Sequence, residues 1–185
     1  SCVPDVSLMM ELAEFFETSV DVLLGYERQS TALEDRLERL KNLRMSKHYD
    51  EAFREGERAL QKYPNSFRVV YECAQLCQVA GIELGDGQML RRCRELFRRS
   101  LGLLDQNRDP EIGEISIRND IAAAYLSQGE REKGIALLKE NNTAGINNAV
   151  IGNELAMDEA TSEEALTYLS RALLDADSPL VRFAL

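Results

Sequence analysis

Leucine, alanine, glutamate and arginine recur at three- and four-residue spacing through almost the whole chain, and no stretch sustains the two-residue alternation of a half-buried strand. The pattern predicts an all-α fold. Breakers fall at Gly25, Pro64-Asn65, Gly81 through Gly87, Asn107 to Pro110, Gly129, Asn141 to Gly145 and Ser178-Pro179, leaving helices of roughly 10 to 16 residues between them. Short connections between such helices imply antiparallel neighbours.

A layout of small and large residues repeats along these helices. Leu40 and Leu43 precede a turn at Ser46 to Tyr49, after which Ala52, Gly56 and Ala59 lead to Pro64. Comparable series follow: Ala74, Cys77 and Gly81, then Cys93, Phe97 and Ser100; Ala122, Tyr125 and Gly129, then Gly134 and Leu138; finally Ala156, then Ala165, Leu169 and Ala172. The small residue opening each second helix stands at 52, 93, 134 and 165, so the spacings are 41, 41 and 31 residues. Small residues are needed where two helix backbones approach, and large ones beside them fill the groove.

This series resembles the tetratricopeptide repeat family, whose period is about 34 residues. Ala52, Ala59 and Pro64 match its second-helix and terminating positions, and Ala122, Tyr125 and Gly129 match its first helix and turn. The resemblance runs from about Leu33 to Pro179 and implies a right-handed superhelix of about four antiparallel helix pairs. The second copy departs from the pattern at Ile82 to Met89, which either lengthens the helices or makes a loop.

A second resemblance covers the N-terminus, about Val3 to Gly25. Pro4-Asp5, then Leu12-Ala13 with Phe15-Phe16, then Ser19-Val20-Asp21 and Leu24-Gly25 are similar to the closing two helices of the Cro/CI-type (XRE-family) helix-turn-helix domain of bacterial repressors. Local chemistry agrees: Ser19 suits a helix N-cap, Asp21 the positive end of the dipole, and Gly25 a left-handed stop. The helix that enters the major groove in that family has no counterpart here, so DNA would be contacted only through helices missing from this chain. Residues 1-27 are therefore expected to be a remnant of a DNA-binding domain and 28-185 a helical repeat domain. Leu8, Leu12, Phe15, Phe16, Val20, Leu23 and Leu24 form an apolar face without its usual partner helices. It is expected to pack on the repeats, to meet a second chain, or to stay poorly ordered. Ser1 in place of an initiator Met fits a piece of a longer protein.

Composition narrows the partners. A net charge of −10 over 185 residues repels a polyanion, so a peptide, a small molecule or a second protein chain is the expected partner of the bulk. No apolar run is long enough for a membrane span and no leader is visible, giving the expectation of a soluble, cytoplasmic protein with no membrane partner. Cys73, Cys77 and Cys93 sit where small packing residues are needed, so free thiols in a reduced compartment are expected, with a redox or soft-metal sensor as the alternative.

Catalytic chemistry finds no constellation, and no enzyme activity, metal or cofactor is expected. His48 stands alone in a turn, and Gly81, Gly85 and Gly87 lack the Lys-Ser/Thr of a phosphate-binding loop. The arginines of 91 to 99 read as a solvated face opposite Cys93, Leu96 and Phe97. If ligands lie along the wall built by the first helix of each pair, the binding residues are Lys41, Arg44, Arg68, Tyr71, Gln75, Asn119, Asn147 and Glu154, with Ala123 and Val150 beside them. Amides would hold a peptide backbone and cations its carboxylates.

The two resemblances together imply the effector-binding and dimerising region of a bacterial transcription regulator, a homodimer binding a signalling peptide or small molecule. Peptide-pheromone-responsive regulators of Gram-positive bacteria share this domain order, though with more repeats. The alternative is a stand-alone tetratricopeptide adaptor that joins proteins without DNA.

Overall fold

A computed structural model describes residues 5–16, 20 and 26–176, and the described residues contain helices and no strand. The helices are α1 Val6–Phe15, α2 Tyr26–Met45, α3 Tyr49–Lys62, α4 Phe67–Leu84, α5 Gly87–Leu101, α6 Glu114–Ser127, α7 Arg131–Glu140, α8 Asn148–Leu155 and α9 Ser162–Ala176. Single 3-10 turns at Leu104–Gln106, Thr143–Gly145 and Glu159–Thr161 shape three of the connections.

From α2 onward the principal contacts join each helix to the next in chain order, and α2 also touches α4. In each hairpin a leucine of one helix lies over a glycine of the other. A Cβ built on Gly81 would meet Leu90 Cγ at 2.9 Å, one on Gly134 would meet Leu126 Cγ at 2.7 Å, and one on Gly152 would meet Leu169 Cγ at 2.7 Å. Gly56 sits under Leu40 and Cys73 with a little more room. These approaches are what the recurrence of small residues encodes: a missing side chain lets two backbones close until a leucine fills the gap. Ala52, Cys93, Gly134 and Ala165 are all buried, while in the last pair the close approach falls on Gly152 and leaves Ala156, picked from the sequence, exposed.

The extra residues of the period from 52 to 93 are spent within α4, and those of the period from 93 to 134 in a connection. α4 runs straight through Gly81 to Leu84, turns at the left-handed Gly85 (φ 66°), and α5 starts after the Asp86 N-cap, whose carboxylate accepts from Gln88 N at 2.7 Å. Helices α2 and α4, 20 and 18 residues long, exceed the expected length. The true long connection is 102–113, between α5 and α6.

Two apolar clusters form the core. The larger is built by α2 to α6 around Leu40, Val69, Leu76, Phe97 and Ile117, and the smaller by α6 to α9 around Ala122, Leu138, Ile151, Leu155 and Ala165. Helix α6 serves both, with Ala124 facing one cluster and Ala122 the other. At the N-terminus, Asp5 caps α1 by accepting from Ser7 N at 3.2 Å, and Ala13 is buried, whereas Leu8, Phe15 and Phe16 are exposed. Ser19, Asp21, Leu23, Leu24 and Gly25, like Pro179 and Phe183, lie outside the described residues. Among the described residues, no helix is long and apolar enough to cross a membrane.

Candidate functional site

The first helices of the pairs, α2, α4, α6 and α8, are joined by a run of polar contacts. Arg68 of α4 reaches Glu34 of α2 with two nitrogens, one at 2.7 Å from Oε2, and Arg44 of α2 pairs with Glu72 of α4 at 3.3 Å. Gln75 Nε2 donates to Tyr71 Oη and to Asp120 Oδ2 of α6, each at 3.0 Å, while Gln78 Nε2 donates to the Asp120 carbonyl at 3.0 Å. Farther along, Asn119 of α6 and Asn147, the residue before α8, exchange side-chain hydrogen bonds of 2.9 and 3.0 Å.

Between α2 and α4 this wall opens into a groove of about 680 Å³, closed on its third side by residues 106–112. Leu37, Phe67, Tyr71 and Ile112 give it an apolar lining, while Lys41, Arg68, Glu38, Arg108 and Asp109 carry the charge around them. The third side is fastened by side chains. Gln106 Oε1 accepts from Phe67 N at 3.1 Å, capping the first turn of α4, and Gln106 Nε2 donates to Asn65 O at 3.1 Å. Asn107 Nδ2 closes the turn by donating to Asp109 O and Ile112 O, both at 2.7 Å. Tyr71 is held by stacking on Phe67 (5.6 Å between ring centres) and edge-on against Phe97.

Of the residues picked from the sequence, Lys41, Arg68 and Tyr71 share this groove. Arg44 and Gln75 lie beside it, engaged with Glu72 and Asp120. Asn147 is only 3% exposed, and its amide donates to Leu138 O and Asn141 O as well as to Asn119. Asn141 in turn donates to Asn119 Oδ1 and Ile115 O, both at 2.9 Å. These amides tie α6, the end of α7 and the start of α8 together. Glu154 accepts from Arg131 of α7, which also reaches the Glu154 carbonyl. Ala123 is half-buried and Val150 is exposed.

Asp120 was not picked from the sequence. It falls on the apolar stripe of Ile117, Ile121 and Ala124 at helical spacing, and an acid there was the available signal. Burial pushes its carboxyl up to about 6, against the opposing hydrogen bonds of Gln75 and Tyr71. Burial also raises the Tyr71 hydroxyl, with Asp120 adding to the shift.

Arg91, Arg92, Arg98 and Arg99 are exposed, the solvated face that their spacing suggests, and Arg94 is the exception. Arg94 is 8% exposed, lies 4.3 Å from the centre of the Tyr125 ring and pairs with Glu130 at 3.4 Å. Arg92 reaches Glu57, Arg98 donates to Tyr125 Oη at 2.7 Å, and Arg99 reaches the Pro64 carbonyl. The long Arg94 stem buries against α6 while its guanidinium finds Tyr125 and Glu130, which helical spacing alone does not show.

Cys73, Cys77 and Cys93 are buried free thiols, and burial pushes them up, Cys73 to about 12 and Cys77 to about 11. That is the reverse of an activated thiol. Among the described residues, no group of three His, Cys, Asp or Glu side chains is placed to hold a metal ion. His48 is exposed and its Nδ1 lies 2.9 Å from Ser46 Oγ. A second hollow, about 700 Å³, lies between α7 and the 156–161 connection. Its cations are already paired: Lys139 with Glu164 at 2.7 Å, Lys133 with Glu130, and Arg131 with Glu154.

No protein-family model matches this chain, and no curated protein matches it.

Proposed function

We propose that this chain is a tetratricopeptide-like ligand-binding and dimerising module, the regulatory region of a bacterial helix-turn-helix transcription regulator, with an extended peptide as its effector. The groove between α2 and α4 carries this reading. It pairs an apolar lining with charged and amide side chains, the combination that holds side chains and backbone of an extended segment at once. Pairwise stacking of helices, with a leucine over a glycine in each hairpin, supports the repeat architecture.

The regulator half of the proposal is supported by α1. It starts at the Asp5 cap and carries Leu8, Phe15 and Phe16 exposed, as a helix does whose usual neighbours lie elsewhere. Light scattering of the chain with and without residues 3–25 tests it. A dimer in both forms is expected, since the repeats would carry the dimer contact; a monomer in both removes the dimeriser.

A further inference from the structure

Among the described residues, most carboxylates that touch a neighbouring helix do so with a cation: Glu34 has Arg68, Glu55 has Arg36, Glu72 has Arg44, Glu130 has Lys133 and Arg94. Asp120 does not. Its side chain takes a hydrogen bond from the neutral Gln75 at 3.0 Å, and Tyr71 acts on it in the same way. The other titratable group that senses it is the buried Cys93 thiol of α5, also neutral. Arg44, which acts on the Tyr71 hydroxyl, is engaged by Glu72, Arg68 by Glu34, and Arg94, which acts on Cys93, by Glu130.

A carboxylate has about four acceptor positions, and two donors leave the rest open. A half-buried carboxylate next to an aromatic ring is the arrangement that recognises an ammonium or guanidinium group, through a charge-assisted hydrogen bond and the negative face of the ring. Here the ring is Tyr71, which lines the groove, and Asp120 lies behind it on α6. The surplus of acid over the whole chain, −10, attracts a cation from a distance.

We infer that the inner wall selects a cationic ligand: a lysine, an arginine or a free N-terminal ammonium of the bound peptide completes Asp120 beside Tyr71, while its apolar residues cover Leu37, Phe67 and Ile112. This rests on the groove being the peptide site. The cation is the missing partner of a carboxylate that the fold otherwise leaves with neutral neighbours.

The test is a selection of randomised, displayed heptapeptides against the full chain, run in parallel against Asp120→Asn. Asparagine keeps an acceptor for Gln75 but cannot pair with a charge. Peptides enriched on the native chain are expected to carry Lys, Arg or a free N-terminus at one position and to bind Asp120→Asn about tenfold more weakly. Replacing that cation by a neutral residue should erase the difference between the two proteins.

Enrichment of peptides with no basic preference would overturn the inference and leave peptide binding standing. Absence of any enrichment would overturn both. Should Asp120→Asn fail to fold, the native chain answers alone. Binding of the enriched peptides should weaken as pH falls through about 6, where Asp120 takes up its proton while the peptide's cation stays charged. Affinity that stays constant across that range would equally overturn the inference.

Discussion

Replacing Gly134 with alanine tests the close approach on which the helix hairpins depend. Gly134 lies in α7, where a Cβ would stand 2.6 Å from Leu126 Cδ2, 2.7 Å from Leu126 Cγ and 3.2 Å from the Ala122 carbonyl oxygen of α6. Swinging the leucine tip relieves only the first of these. The Cγ contact forces a change at χ1, and the carbonyl belongs to backbone that moves only if α6 and α7 separate. Alanine gains about 1 kcal/mol over glycine in a helix interior. Overpacking a closed interface costs about 1–3 kcal/mol, and an off-rotamer leucine about 0.5–1.5 kcal/mol more.

The balance is a net loss of about 0.5–3.5 kcal/mol, or about 1–14 °C in Tm for a chain of this size. Gly102→Ala is the control. Its backbone is right-handed (φ −70°) and the nearest atom, Arg99 O, is 3.5 Å away, so alanine there should be neutral or stabilising by up to about 0.5–1 kcal/mol. Thermal melting by circular dichroism reads both. Gly134→Ala melting at or above the native chain would refute the claim that the glycine is there to admit Leu126.

Other measurements reach the remaining features. Ala144 is held at φ 53°, left-handed for a residue with a Cβ, so Ala144→Gly should raise stability by about 1 kcal/mol in urea unfolding. Asn147→Ala strands the Leu138 and Asn141 carbonyls and the Asn119 amide inside the structure, so a loss of about 2–4 kcal/mol is expected in the same assay. Cys73, Cys77 and Cys93 should resist alkylation at pH 8 until the chain unfolds, as read by peptide mapping; fast native labelling would contradict their burial. Asp120 gives a signed pH dependence. Between the ordinary carboxylate range at about 4 and about 6, the folded chain holds a proton that the unfolded chain has released, so stability falls as pH rises through that window. Asp120→Asn should remove that slope and be the more stable form above it.

Helix content and the small-residue positions were legible because both follow from local spacing: Ala52, Cys93, Gly134 and Ala165 are all buried, and at Gly134 two helices close on each other. Where the chain spends its extra residues was not legible. Gly81, Gly85 and Gly87 look alike in sequence, but Gly81 is pinned inside α4 by Leu90 and only Gly85 turns the chain. The polar residues were harder still. Asn119 and Asn147 have the same composition signature as binding amides, and their mutual hydrogen bonds depend on two helices meeting at one height. Arg94 likewise needs Tyr125, which lies a helix away.

The irregular period and the groove have a common origin. An even array of about 34 residues per pair would present one shallow inner surface. In this chain the 102–113 connection folds back against the start of α4, so that Gln106 caps α4 and Asn107 shapes the rim of the groove between α2 and α4. After α6 the pairs shorten, and asparagines replace side chains that could reach a ligand. Site-forming residues therefore fall in the stretched half of the array, and the compact half holds α6 in place behind them. Asp120 sits on that helix at the boundary between the two apolar clusters, so a ligand that fills its open acceptor positions also fixes α6 against α4. A ligand held at the groove would act on the packing of α7 to α9 through α6, whose Ala124 and Ala122 belong to the two clusters.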